Sequence, residues 1–391
     1  MGRAGHYVKQ VEGFRAFIPA PLPPSPPLDL GSGLRLLLSE ADQELGRLDG
    51  VTTTLPNPDL FVAMYVRHEA VLSSQIEGTQ STLGDVLEFE ADAAGGEHPR
   101  DVREVVNYVA ALDHGLSRLE SLPLSLRLIR EIHERLMGNV RGGERTPGEF
   151  RRSQNFIGPQ GGTLADAAFV PPPVHEMHEA LSNLEKFLHD RDSHPVLIHC
   201  GLAHAQFETI HPFLDGNGRI GRLLITFLLC ERGVLARPLL YLSHYLKGRR
   251  SEYYDRLMAI RDSGDWEGWM RFFLQGVAEV SRDATRTARA ILELREKARI
   301  ELARSANALR LLDHAFRHPV LTARMAEAHL GTSFVTAART IDALAAHGLL
   351  REITHGKRNR KFRFEPYVAL FEKPVAGDGK APSAERTGEA R

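Results

Sequence analysis

The residues best suited to chemistry stand in one run, Ile210-His211-Pro212-Phe213-Leu214-Asp215-Gly216-Asn217-Gly218-Arg219-Ile220-Gly221-Arg222. Two glycines, Gly216 and Gly218, flank Asn217 just ahead of an amphipathic stretch. Glycine lets successive backbone N–H groups point together, and a helix N-terminus adds partial positive charge. The segment therefore predicts an anion nest suited to phosphate. Arg219 and Arg222 are three residues apart and share a helix face. Two guanidiniums beside such a nest point to a polyphosphate rather than a single carboxylate. Asp215 is a hard oxygen ligand placed to hold Mg²⁺ on those phosphates. His211 precedes the nest and is the residue type that takes a proton at neutral pH.

The stretch Gly216 to Gly221 also satisfies the dinucleotide spacing G-x-G-x-x-G. That motif needs a preceding strand and an acidic residue about 20 positions on. Pro195 to Thr209 instead has helical periodicity, and no βαβ unit surrounds it, which argues against a Rossmann site. His199, His204 and His211 are close in sequence, but an i, i+5 step does not set the first two on one face, and no H-E-x-x-H is present.

The elements that must position this run read as mainly helical. Leu34, Leu37, Leu38, Ala41, Leu45 and Leu48 recur at helical spacing. Asn57-Pro58 is a helix start, leading through Phe61, Met64, Val71 and Leu72 to a stop near Gly78. Further helices fit Val102–Leu119, Ser125–Met137, Val174–His189, Pro195–Thr209, Gly218 to Gly233 and Trp266–Val280. Trp266, Trp269, Phe272 and Phe273 read as packing anchors. Residues 19–27 hold six prolines and predict an extended arm. Arg141 to Pro173 breaks the helical pattern with Gly and Pro. It reads as a hairpin or a surface loop, and as a hairpin its edge is a candidate peptide-binding surface.

The chain has 391 residues, 49 Lys+Arg against 50 Asp+Glu, 42% hydrophobic and 25% charged. That is globular composition with room for two or three domains, and its neutral balance excludes a globally basic nucleic-acid coat. Cys200 and Cys230 are too few for a disulfide framework or a cysteine zinc site. The start, Met1 to His6, lacks an apolar signal core, and the longest apolar run, Leu223 to Cys230, is far short of a membrane span. The expectation is a cytoplasmic protein without membrane contact.

The run 211–222 resembles the Fic family signature H-P-F-x-[D/E]-G-N-G-R-x-x-R, with every specified position matched. The resemblance covers most of the chain. It implies a helical core with a β-hairpin flap, and transfer of AMP from ATP to a Ser, Thr or Tyr hydroxyl of a target protein or of the chain itself. It implies His211 as general base and Asp215 as Mg²⁺ ligand between the α- and β-phosphates. Gly216, Asn217 and Gly218 would hold phosphate oxygens, and Arg219 and Arg222 would grip the β- and γ-phosphates. The flap, roughly Ser153 to Pro173 with Ile157-Gly158-Pro159 at its first strand, would align the target by main-chain pairing. Tyr253 and Tyr254 match a tyrosine pair near the adenine pocket, or are core aromatics on a helix. A homodimer is plausible from the family.

Ser73-Ser74-Gln75-Ile76-Glu77-Gly78 resembles the family's inhibitory motif [S/T]-x-x-x-E-[G/N]. Ser73 and Glu77 are four apart on one helix face. The resemblance implies that Glu77 engages Arg222 and denies it to the γ-phosphate. The domain reading is then 1–100 N-terminal arm and inhibitory-helix region, 101–283 Fic core, 284–306 connector helix, 307–371 winged helix and 372–391 disordered tail.

In the C-terminal unit, Leu321–Ala328 and Val335–His347 read as a helix-turn-helix around Gly331-Thr332-Ser333. Ala338, Ile341, Leu344 and Ala345 would face inward, and Thr354–Phe364 resembles a wing. Lys/Arg at 351, 357, 358, 360, 361 and 363 against Glu352 leave this wing locally basic. That suits DNA phosphates or a protein contact. The alternative function is thus a nucleotide-sensing, DNA-binding regulator with little transfer activity.

Overall fold

In a computed structural model of the chain, the described residues are 2–53, 58–92, 100–140, 145–159, 161–354 and 359–372. Asn57, Gln160, Lys357, Arg358 and the expected tail from 373 onward lie outside them.

The chain opens with two strands, β1 (Gly5–Lys9) and β2 (Arg15–Pro19), paired antiparallel from Gly5↔Pro19 to Lys9↔Arg15. Helices α1 (Ser32–Thr53), α2 (Asp59–Ile76), α3 (Leu83–Ala91), α4 (Arg100–Leu119) and α5 (Leu126–Leu136) follow. After the irregular residues 145–159 and 161–173 come α6 (Val174–His189), α7 (Val196–Ile210), α8 (Asn217–Glu231), α9 (Ser243–Gly248), α10 (Arg250–Ser263) and α11 (Trp266–Glu301). The C-terminal unit is α12 (Ala306–Arg317), β3 (Val320–Thr322), α13 (Ala323–Leu330), α14 (Phe334–Ala346), β4 (Arg351–Glu352), β5 (Lys361–Arg363) and α15 (Glu365–Val368). Its sheet has the antiparallel order β3-β5-β4.

Local chemistry explains the starts. Ser125, Ser305, Thr322 and Ser333 each accept a hydrogen bond from a first-turn N–H of α5, α12, α13 and α14. Such caps satisfy donors that the helix itself leaves open. Pro58 is the N-cap of α2, and Gly78, with φ 98°, turns the chain away after its end.

The core is centred on α7, buried from Leu197 to Ile210, with α8 beside it buried from Arg219 to Leu229. Helices buried all round lose the one-sided pattern of a surface helix. α1 and α7 both pack along α11, and Trp266, Trp269, Phe272 and Phe273 are buried in that layer. α2 packs against α4 and α9 on the core side and against α12 of the C-terminal unit. Phe371 closes this junction, 5.0 Å from the Tyr65 ring of α2.

Several expectations change. The strands β1 and β2 precede the expected arm and carry no strong alternation. Among the described residues of 153–173 no run of strand is present. An antiparallel bridge, Ile157↔Phe169, joins the two sides of the expected hairpin, and Phe17 of β2 donates its N–H to the Val170 carbonyl at 2.9 Å. α11 runs unbroken from Trp266 to Glu301, so position 283/284 lies inside one helix. In α14, Ala337, Thr340, Ile341 and Leu344 face inward, whereas Ala338 and Ala345 are only half-buried.

Candidate active site

The fingerprint run forms the turn between α7 and α8. His211 ends α7 in the left-handed conformation, φ 49°, and Gly216 precedes α8 at φ 78°. Between them the loop braces itself. Asn217 Oδ1 accepts from the Phe213 N–H, and Asn217 Nδ2 donates to the Phe213 carbonyl, both at 2.8 Å. Asp215 Oδ1 accepts the Gly216 N–H at 2.7 Å. Asn217 is thus a loop brace as well as the first residue of α8.

Residues that the sequence did not mark hold this loop from outside. His133 of α5 accepts the Gly148 N–H at Nδ1, 2.9 Å, which leaves Nε2 to donate to the Asp215 carbonyl at 3.0 Å. Its ring stacks on Phe213 at 3.7 Å. Burial pushes this imidazole down to about 4, and it stays neutral. Arg151 is fully buried. Its Nε donates to the His211 carbonyl at 3.1 Å, Nη1 to Ser153 at 3.2 Å, and Nη2 to the Pro172 carbonyl. Asn155 Nδ2 donates to the carbonyls of His211 and Phe213. Residues 151–172 are therefore lashed to the loop, which places Ile157, Gly158 and Pro159 on the segment beside it.

Burial, with the charges of Arg261 and Arg151, pushes His211 down to about 4, although Glu77 opposes them. The imidazole is neutral at pH 7 and able to accept a proton. Nδ1 is buried without a hydrogen bond of good geometry.

Arg219 and Arg222 leave α8 toward different partners. Arg219 Nη1 meets Glu104 Oε2 at 3.2 Å, and Nη2 lies 3.8 Å from Asp215. Arg222 is held by the end of α2. Nε donates to Ser73 Oγ at 2.8 Å, and Nη2 donates to the Ser73 carbonyl at 3.0 Å and to Glu77 Oε1 at 2.8 Å. Desolvation raises the Glu77 carboxyl, but the charge and hydrogen bond of Arg222 bring it below its ordinary value. The carboxylate also rests on the start of α8: a Cβ at Gly218 would meet Glu77 Oε1 at 2.2 Å. An anion at a helix N-terminus is favourable, and here it occupies the ground expected for phosphate. Glu77 caps α2 rather than lying within it.

Beneath Arg222, Glu208 of α7 is a buried carboxyl pressed against α8, where a Cβ at Gly221 would meet its Oε1 at 2.4 Å. Burial raises it to about 7 against the pull of Arg222. Tyr253 is buried, with its hydroxyl 2.9 Å from His204 Nε2, and Tyr254 is half-buried beside it. His199 stacks on Phe187 and does not join His204. Asp215 keeps 35% of its side chain exposed. One exposed carboxylate suits Mg²⁺ arriving on phosphates with its own waters.

The four described cations of the wing are paired. Arg351 and Arg363 pair with Glu365, Arg360 with Glu352, and Lys361 with Asp92, the C-cap of α3, at 3.4 Å.

Residues 35–117 match the Fic/DOC family N-terminal domain, and residues 123–229 match the Fic/DOC family. Protein adenylyltransferase Fic of Drosophila grimshawi is 32% identical over 204 residues, 50% of this chain and 38% of that protein. Its namesake in Drosophila melanogaster is 30% identical over 204 residues, covering 50% and 37%. The matched region thus spans well under half the length of these relatives. A solved Fic family protein from Desulfovibrio desulfuricans G20 superimposes with TM-score 0.56 at 22% identity, covering 86% of this chain and 97% of that one. A Fic domain containing signaling protein from Bacteroides thetaiotaomicron VPI-5482 gives TM-score 0.50 at 19% identity, covering 66% and 95%. These two likenesses concern the fold. Together the matches show that the chain carries a Fic/DOC N-terminal domain at residues 35–117 and a Fic/DOC domain at residues 123–229.

Proposed function

We propose that the protein is an autoinhibited protein adenylyltransferase, which moves AMP from Mg²⁺-ATP to a hydroxyl side chain of a target protein or of itself. The observation that carries the reading is the meeting of Glu77, Arg222 and Gly218 at the start of α8, one loop away from a neutral His211. With Glu77 withdrawn, the α8 N-terminus, Gly216 to Gly218 and Arg222 are opened to a polyphosphate. His211 then takes the proton of the target hydroxyl. The hydroxyl oxygen forms a bond to the α-phosphorus as the bond from that phosphorus to the bridging oxygen breaks, and pyrophosphate leaves. Asp215 would hold Mg²⁺, which when bound offsets phosphate charge. Arg219 steadies Asp215 from its pair with Glu104. Ile157 to Pro159 offer main chain to the target. Positioning and charge stabilisation supply most of the acceleration in such transfers.

The order α12-β3-α13-α14-β4-β5 supports the winged-helix reading of 307–371. The DNA-binding regulator loses its main support, because each described cation of the wing faces a carboxylate.

The test compares wild type, Glu77→Gly and Glu77→Gly/His211→Ala with Mg²⁺ and α-labelled ATP, with and without candidate protein targets. Label on protein with Glu77→Gly, lost in the double variant, supports the reading. Equal label in wild type and Glu77→Gly removes the brake, and no label in any sample removes AMP transfer.

A further inference from the structure

A cavity of about 230 Å³ lies where α2, α9, α11 and the end of the C-terminal unit meet, and none of its lining comes from the loop after α7. Rings stand in its wall. Tyr65 stacks on Tyr241 with centroids 5.3 Å apart, and Phe371 meets Tyr65 edge-on at 5.0 Å. His68 of α2 and His244 of α9 complete the set. Their centroids are 6.2 Å apart and their planes are tilted by 60°, so the two imidazoles do not stack on each other.

The polar groups of this wall divide into those already used and those left over. The Tyr65 hydroxyl donates to the Ala284 carbonyl at 2.9 Å, and the Tyr241 hydroxyl donates to the Pro238 carbonyl. Asp283 pairs with Arg286. The imidazoles of His68 and His244 have no hydrogen-bond partner among the described residues. Burial pushes His68 down to about 3, and His244 and Lys247 add to that. Burial also lowers His244, against the pull of Asp283. Each neutral ring carries one N–H donor and one bare acceptor nitrogen.

These features select a ligand. Ring walls favour a flat aromatic body, through offset or edge-on contact. Neutral imidazoles do not attract an anion, and Asp283 already holds a cation in Arg286. Two donor–acceptor rings instead match an uncharged heterocycle whose edge carries a donor beside an acceptor, as a nucleobase does. The volume suits one ring or a fused pair, since about 150 Å³ already holds benzene. We infer that this cavity binds a small, uncharged, planar nitrogen heterocycle, seated against Tyr65, Tyr241 and Phe371 and hydrogen-bonded by His68 and His244. Tyr65 and His68 stand on α2, the helix that carries Ser73 and is capped by Glu77. Binding there does not depend on the proposed AMP transfer.

The test titrates uracil into the full chain, with dihydrouracil as the control that keeps the polar edge and loses the flat aromatic ring. Histidine ring proton resonances report binding, and His68→Gln and His244→Gln assign them. Uracil should shift both in a saturable way, with a Kd of about 1 mM or tighter, the range open to so few atoms. Dihydrouracil should bind about three- to tenfold more weakly, the worth of an aromatic contact. His68→Leu should weaken uracil about tenfold, as the loss of one hydrogen bond does. His68→Gln should recover part of that, because its amide keeps a donor and an acceptor. Thr287 also lines the cavity. Thr287→Trp fills it with both imidazoles in place and should abolish binding. Should a variant fail to fold, the wild-type titrations with the two pyrimidines decide alone. No saturable shift of the His68 and His244 resonances, or equal affinity for dihydrouracil, overturns the proposal. So does uracil binding that is unchanged in a folded Thr287→Trp variant.

Discussion

Glu77 and His211 divide the proposed chemistry between a carboxylate that blocks and an imidazole that accepts. Replacing Glu77 with glycine frees Arg222 and the α8 N-terminus together. Label transfer should rise by at least about tenfold, the factor that about 1.4 kcal/mol produces. Removing His211 in that background should lower transfer about a hundredfold or more, the range of a lost general base, with nucleotide affinity retained. Because burial first, then Arg261 and Arg151, hold His211 near 4, its proton is off throughout the neutral range. Initial rates of the Glu77→Gly variant should therefore show no histidine titration near 6.5. A fall in rate around that pH would mean the imidazole is solvated.

Elements act here through the grip that α5 and residues 151–172 keep on the loop after α7. His133→Phe preserves the stack on Phe213 but loses the bonds to the Gly148 N–H and the Asp215 carbonyl. Small displacements of a reacting group lower rates steeply. Transfer by the Glu77→Gly variant should fall about ten- to a hundredfold on adding His133→Phe, as kcat rather than KM. Arg151→Met leaves the carbonyls of His211, Ser153 and Pro172 without their buried donor. Unsatisfied groups of this kind cost about 1–3 kcal/mol each, and relaxation recovers part of that. Urea unfolding should show about 2–4 kcal/mol lost, and a change below about 0.5 kcal/mol would show that the guanidinium does not brace the loop.

At the scale of the molecule, buried titratable groups set how stability follows pH. His133, His199, His204 and His211 are each pushed to about 4, by burial first. Their folded values lie below the unfolded value near 6.5, so the unfolded chain binds more protons between those limits. Stability is complete above about 6.5 and is lost as pH falls toward 4, by up to about 1.4 kcal/mol per pH unit for each histidine. Glu69 and Glu208, raised to about 7 by burial, act in the opposite sense. Their contribution is complete below the ordinary carboxylate value and is lost as pH rises through 7. The melting temperature should therefore peak near neutrality and drop from pH 6.5 to 5. Glu208→Gln should gain melting temperature relative to wild type at pH 8 more than at pH 6, and equal gains would mean that Glu208 is ionised in the fold. α2 links this balance to the site, since Glu69 bonds Ser243 on one side while Ser73 and Glu77 hold Arg222 at its end.

The sequence by itself determined the chemistry of one loop and the helical frame around it. Those depend on local rules: glycines and asparagine before a helix, caps such as Ser125 and Ser333, and apolar residues at helical spacing. It also placed Ser73 and Glu77 one turn apart. Only the tertiary structure decided what those groups face. Glu77 meets Arg222 across 145 positions, and Arg219 meets Glu104 across 115. His133 reaches Asp215 across 82 and Arg151 reaches His211 across 60. No periodicity encodes such pairs, because each follows from the packing of whole helices. The same reason explains why the partners of the wing could not be read. Its cations were legible as a run, but Glu365 lies past its end and Asp92 caps the far end of α3. β1 and β2 were hidden likewise, since a short strand is defined by its partner rather than by its own residues, whereas the bridge Ile157↔Phe169 joins two apolar pieces that were legible as a hairpin.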